Sequence, residues 1–94
     1  MADPRDVYLL PGLRSPFARI DRELAGVDAL RLSVPVVQQT VAGARGTGAE
    51  RSGELDMFVW GAVVPELGVS NWAREVWLSA ELDPHVPAWS VVQQ

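Results

Sequence analysis

A chain of 94 residues with 48% hydrophobic side chains is long enough for one small folded domain. Its formal charge of −4, without any run of arginines, argues against a nucleic-acid binder, because phosphate neutralisation needs clustered cations. The absence of cysteine excludes a disulfide, a thiolate metal site and a cysteine nucleophile within the chain. The polar amino terminus and the lack of a long apolar run predict a cytoplasmic protein without a membrane span.

The first apolar run, residues 7–10, is followed by Pro11 and Gly12 and predicts a short strand that ends in a turn. Because the run does not alternate with polar residues, we expect a strand buried on both faces, as in a parallel sheet covered by helices. Residues 13–26 form an irregular stretch.

A helix is predicted over residues 29–42, with Asp28 as its amino-terminal cap. Four apolar residues fall on one helical stripe: Leu30, Val34, Val37 and Val41. Pro35 lies too deep for the first turn, so we expect a kink there or a helix that begins again at Pro35.

Residues 43–53 are rich in glycine and predict an exposed loop. A phosphate-binding loop is disfavoured, since the Gly-Lys-Ser/Thr and G-x-G-x-x-G patterns are both absent and the loop follows a helix. Residues 55–64 are the clearest strand, and Pro65 and Gly68 follow it.

A second helix is predicted from Ser70 or Asn71 to about Glu81. Three residues form its apolar ridge: Trp72, Val76 and Ala80. After Asp83 and Pro84, residues 86–92 are apolar enough for a third strand. The order strand, helix, strand, helix, strand predicts an α/β fold with a mostly parallel sheet.

Three segments in this order resemble the amino-terminal part of thiolases. Residues 7–17 are similar to the family's opening strand and its Arg-Thr-Pro-Phe motif, with Ser15 in place of Thr. Residues 60–64 and 70–75 resemble a Gly-x-Val strand end and an Asn-x-Ala-Arg helix start. Residues 86–94 resemble the strand that leads into the nucleophile elbow.

The Ser-Asn-x-Ala-Arg-Glu form of residues 70–75 is most similar to 3-ketoacyl-CoA thiolases (acetyl-CoA acyltransferases) of trifunctional fatty-acid oxidation complexes. The resemblance implies that residues 1–94 are an incomplete amino-terminal thiolase domain of the layered αβα type, ending just before the elbow. Two further features depart from the family: Pro35 interrupts the first helix, and residues 81–83 replace a Gly-Leu/Phe turn.

Thiolases cleave 3-ketoacyl-CoA with CoA, or run the reverse Claisen condensation, through an acyl-cysteine. The resemblance therefore implies an acyltransferase of β-oxidation for the complete protein, with CoA as substrate and no cofactor, but no catalytic residue and no turnover in this chain alone. It also implies a homo- or hetero-oligomer whose partner is the remainder of the enzyme or a complementary chain. Two alternatives are a non-catalytic interaction or scaffold subunit with the thiolase fold, and a lipid-carrier relative that binds acyl-CoA.

The resemblance makes four residues candidates for a subunit contact or an active-site scaffold: Arg14, Ser15, Asn71 and Arg74. The competing interpretation is a simple helix cap at Asn71 and solvated guanidinium groups. His85 is expected in a surface turn rather than as a catalytic base. The four tryptophans fit core or subunit contacts better than a surface for ligand stacking.

Overall fold

The computed structural model of this chain describes residues 3–46, 55–64 and 67–93. It contains four elements in the order α1 (Ala29–Gly46), β1 (Phe58–Ala62), α2 (Trp72–Ser79) and β2 (Ala88–Val92). The two strands are parallel and pair in register from Phe58 opposite Ala88 to Ala62 opposite Val92. The predicted α/β class with a parallel sheet is confirmed, and α2 is the helix that connects the two strands.

The helix α1 begins at its predicted cap, because Asp28 Oδ1 accepts a hydrogen bond of 2.8 Å from the backbone N–H of Arg31. It continues past the predicted end at residue 42 and includes Gly43 and Gly46. Glycine lowers helix stability by only about 1 kcal/mol relative to alanine, so a helix can extend through it. The remainder of the predicted glycine-rich loop, residues 47–53, lies outside the described residues. The helix also does not begin again at Pro35, which lies inside it.

The core lies where α1, α2 and one face of the sheet meet. Six buried residues form it: Val37, Val41, Val76, Trp77, Ala80 and Val86. Leu30, Val34 and Trp72 are partly buried and pack against this cluster. Both apolar stripes predicted from helical spacing therefore face the core.

The two faces of the sheet differ in burial. On the face towards the core, Phe58 stacks on Trp60 at 5.6 Å between ring centroids and contacts Trp77 at 4.9 Å. On the opposite face, Val59 and its register partner Trp89 are 53% and 61% exposed. Side chains of paired residues in a parallel ladder point to the same side, so this outer face is a continuous apolar surface.

The prediction of a strand at residues 7–10 is wrong, because the structure has no strand there. No strand lies among described residues 3–27, and Val7 and Leu9 are 90% and 99% exposed. An apolar run is suited to burial in a sheet, but a strand forms only where a neighbouring strand completes its backbone hydrogen bonds. Among the described residues the sheet has two strands, β1 and β2, and this run pairs with neither.

The carboxyl end of α2 departs from the predicted end at Glu81. The helix ends at Ser79, Ala80 is its cap, and Glu81 adopts a left-handed conformation with φ of 59°. Glycine is the usual residue at this position, since a Cβ makes the left-handed conformation unfavourable. The departure from a Gly-Leu/Phe turn at residues 81–83 therefore coincides with a strained helix end.

Replacing Glu81 by glycine should relieve this strain. We expect Glu81→Gly to raise the free energy of unfolding by up to about 1 kcal/mol, because relief of the left-handed strain exceeds the entropy that glycine loses on folding. Glu81→Ala, which keeps the Cβ, is the matched control and should leave stability nearly unchanged. Urea denaturation measures both variants, and an equal effect of the two would refute the explanation.

Candidate functional site

The amino-terminal turn of α2 is joined to β2 through Asn71. This residue has extended backbone angles, and its Oδ1 accepts a hydrogen bond of 3.1 Å from the backbone N–H of Arg74, which makes it the predicted helix cap. The same Oδ1 accepts a second hydrogen bond, 2.6 Å long, from the hydroxyl of Ser90. Its Nδ2 donates to the carbonyl of Ala88 at 3.3 Å. Asn71 is therefore more than a cap, because two of these three bonds reach the neighbouring strand.

Ser90 uses both hydrogen-bonding roles of its hydroxyl. It donates to Asn71 and accepts the backbone N–H of Ala73 at 2.8 Å. Ser90 was not among the candidate site residues predicted from the sequence. A signal was present, since Ser90 is the one hydroxyl in the apolar strand β2, but the sequence does not show which helix residues lie opposite it.

Arg74 joins α2 to the turn that enters β2. Its Nη1 donates to the carbonyls of Pro84 and Val86, at 2.8 and 3.4 Å. The indole Nε1 of Trp77 donates to the carbonyl of Asp83 at 2.6 Å, so a second side chain of the same helix holds this turn. The guanidinium group of Arg74 is thus engaged with the backbone rather than fully solvated.

The other two predicted site residues, Arg14 and Ser15, lie elsewhere. The guanidinium group of Arg14 donates to the carbonyl of Ser15 at 3.1 Å and lies 4.6 Å from the ring centroid of Phe17. Arg14 and Ser15 line an open cavity of about 250 Å³ beside α1 and Trp60. Within the described ranges, no hydrogen bond connects this pair with Asn71 or Arg74, so the four candidates form two separate groups.

His85 lies in an exposed turn, as predicted. Its side chain is 92% exposed, and Nδ1 lies 3.0 Å from Asp83 Oδ1. The backbone N–H of His85 donates to the same oxygen at 2.9 Å. These hydrogen bonds, the backbone one first, hold the pKa of Asp83 below its usual value.

The described residues were compared with the requirements of a metal site and of a membrane-spanning helix. No three His, Asp or Glu side chains among them converge on a common point where a metal ion could bind. None of the helices in the described ranges combines the length and apolar character required to cross a bilayer. The hydrogen-bond partners of the Ser90 hydroxyl are an amide oxygen and a backbone N–H, neither of which is a base that could activate it, so the arrangement at Asn71 and Ser90 holds β2 in place.

The sequence is similar to curated thiolases along most of its length. A 3-ketoacyl-CoA thiolase from Erwinia tasmaniensis is 38% identical over 86 residues, which cover 90% of this chain and 18% of that protein. Proteins of the same name from Yersinia enterocolitica and Shewanella halifaxensis are 34% and 30% identical, over 90% and 93% of this chain and 19% of each relative. The chain thus spans less than a fifth of the length of these relatives. No family model and no solved structure matches it.

Removing the side chain of Asn71 should weaken the contact between α2 and β2. We expect Asn71→Ala to lower the free energy of unfolding by about 1–2 kcal/mol, because the cap and both bonds to the strand are lost together. Asn71→Asp keeps the cap acceptor but loses the donor to Ala88, and should cost about 1 kcal/mol. Denaturant titration separates the two variants. An Asn71→Ala protein as stable as the parent would show that the contact contributes nothing.

Asp83 should make stability depend on pH at the acid end. Its folded-state pKa lies below the unfolded value near 3.8, so its stabilising contribution is present above pH 3.8 and is lost as pH falls through the folded pKa. We expect Asp83→Asn to flatten the fall in unfolding free energy below pH 3.8.

His85→Ala is the matched control for Asp83→Asn. It keeps the backbone N–H, which is the larger cause of the lowered pKa, and should flatten the profile only partly. Unfolding free energies measured at a series of acid pH values give the comparison. Identical profiles for the parent and Asp83→Asn would contradict the assignment.

Proposed function

The chain is related to the thiolase family over 90% of its length, and on this premise we propose that it is a scaffold segment of an acyl-CoA thiolase. In this proposal the complete protein carries out thiolysis of 3-ketoacyl-CoA or the reverse Claisen condensation. The unit β1–α2–β2 would position a cysteine nucleophile that lies outside this chain, since the chain contains no cysteine. The observation that carries the proposal is the set of hydrogen bonds that fixes β2.

The strand β2 and the turn before it are held at three places, one by β1 and two by α2. Its backbone pairs with β1 along the register that ends with Ala62 opposite Val92. Its middle is tied to α2 through Ser90, and the turn before it is tied to α2 through Arg74. Such restraint matters for covalent catalysis, because displacing a nucleophile by about 1 Å can lower a rate about a hundredfold.

The outer sheet face, with Val59 and Trp89 exposed, supports the presence of further protein, because parallel sheets are found covered on both faces. We propose that the rest of a thiolase or a complementary chain covers it and that the complete protein is oligomeric. CoA would be a substrate rather than a cofactor, and β-oxidation in the cytoplasm would be the setting.

A hybrid enzyme tests the scaffold function. In it, this chain replaces the matching 86-residue region of the Erwinia tasmaniensis thiolase. We expect the hybrid to cleave acetoacetyl-CoA in the presence of CoA, since the chain would supply an equivalent support for the nucleophile. The 94-residue chain alone should show no turnover, because it has no cysteine.

A thiolase with the same region deleted is the negative control, and absorbance of the ketoacyl-CoA reports the reaction. Thiolysis by the 94-residue chain alone, or a folded hybrid without activity, would refute the scaffold proposal. Binding of acetoacetyl-CoA by the 94-residue chain without turnover would instead support the lipid-carrier alternative.

A further inference from the structure

We propose that Ser90 is a positioning residue that sets how far the carboxyl end of β2 projects beyond α2. The inference rests on the proposed function, since the group to be positioned is the nucleophile expected after this strand. Ser90 is not itself a catalytic residue. It acts through the hydrogen bonds of its hydroxyl to Asn71 and Ala73.

The hydroxyl of Ser90 fixes two parts of the turn at once. The distance from Oγ to Asn71 Oδ1 is 2.6 Å, and that from Ala73 N to Oγ is 2.8 Å. Oγ therefore lies between the capping side chain and a backbone amide of the first turn. Movement of α2 along the strand would lengthen one or both bonds, so the pair defines one position of the helix along β2.

Side-chain bonds of two residues set the position of α2 along β2: the bond from Asn71 Nδ2 to the carbonyl of Ala88 at 3.3 Å, and those of the Ser90 hydroxyl, which lies two residues nearer the exit of the strand. Arg74 and Trp77 bond to the turn before β2, at Pro84, Val86 and Asp83, and so restrain the entry of the strand rather than its exit. At the exit, the described hydrogen bond is the backbone one from Gln93 to Ala62 at 3.3 Å, which joins the strand to β1 and not to the helix. Among the described residues, Ser90 provides the side-chain link between α2 and β2 that lies nearest the exit.

The first turn of α2 packs closely against the sheet beside Ser90. Ala73 is completely buried, so the first turn of α2 approaches the sheet closely. With Ser90 replaced by alanine, the N–H of Ala73 and one lone pair of Asn71 Oδ1 would lose this partner, and water could replace it because residue 90 is exposed. The helix would then be held along the strand by the weaker bond of Asn71 to Ala88. Threonine keeps the hydroxyl and suits a strand, so it should preserve the link.

The test compares three variants of the hybrid enzyme: Ser90→Ala, Ser90→Thr and the control Gln38→Ala. Gln38 donates from Nε2 to the carbonyl of Ala80 at 3.0 Å, so the control removes a hydrogen bond at the opposite end of α2. We expect Ser90→Ala to lower kcat about tenfold to a hundredfold with little change in KM. Ser90→Thr and Gln38→Ala should keep kcat within about twofold of the unsubstituted hybrid.

Hydrogen exchange provides a readout that does not depend on activity. Measured on the hybrid and on the 94-residue chain, the amides of Ala73 and Arg74 should exchange faster in Ser90→Ala than in the parent, and at the parent rate in Ser90→Thr. A loss of kcat equal in Ser90→Ala and Gln38→Ala would overturn the positioning role. Unchanged exchange in Ser90→Ala would overturn the link itself.

Failure of this inference is separable from failure of the proposed function. An unsubstituted hybrid that folds without activity refutes the scaffold function, and the exchange rates then still decide whether Ser90 holds the helix. An active hybrid in which Ser90→Ala keeps full kcat refutes the positioning role alone.

Discussion

The amino-terminal turn of α2 is held on β2 by the hydrogen bonds between Ser90, Asn71 and Ala73. The packing of the apolar core depends on where α2 lies against the sheet, and this contact helps to fix that position. With α2 fixed, Val76 and Trp77 face the sheet, and the ring of Phe58 can pack on Trp77. The helix α1 then covers the other side of the same cluster. A helix of two turns has little stability of its own, so tertiary contacts of this kind decide whether it forms.

The elements that the sequence predicts well are those whose evidence is local. Asn71 precedes a helical pattern and is its cap, and Val37 and Val41 follow the helical period and are buried. Residues 7–10 show the opposite case, because apolar character alone cannot supply a strand with a hydrogen-bonded neighbour. Among the candidate site residues, Asn71 and Arg74 lie together as their shared helix start implies, whereas Ser90 depends on a contact across 19 residues that no local pattern encodes.

The carboxyl end of α2 and the contacts of β2 differ in how far the sequence accounts for them. The resemblance marks residues 81–83 as a departure, and the structure explains the physical consequence, since Glu81 occupies a left-handed position that favours glycine. The sequence is similar to thiolases over 90% of the chain, while the hydrogen bonds around β2 show which contacts fix this strand.

The short sequence separation of the contacts around β2 also bears on the order of folding. Asn71 and Ala73 meet the strand 17 to 19 residues later, whereas Gln38 meets Ala80 across 42 residues. Closing the shorter loop costs less chain entropy, so α2 and β2 should associate before α1 docks on them. On this view the pair α2–β2 is the nucleus around which the other elements assemble, and changes at Ser90 should slow folding more than changes in α1 do.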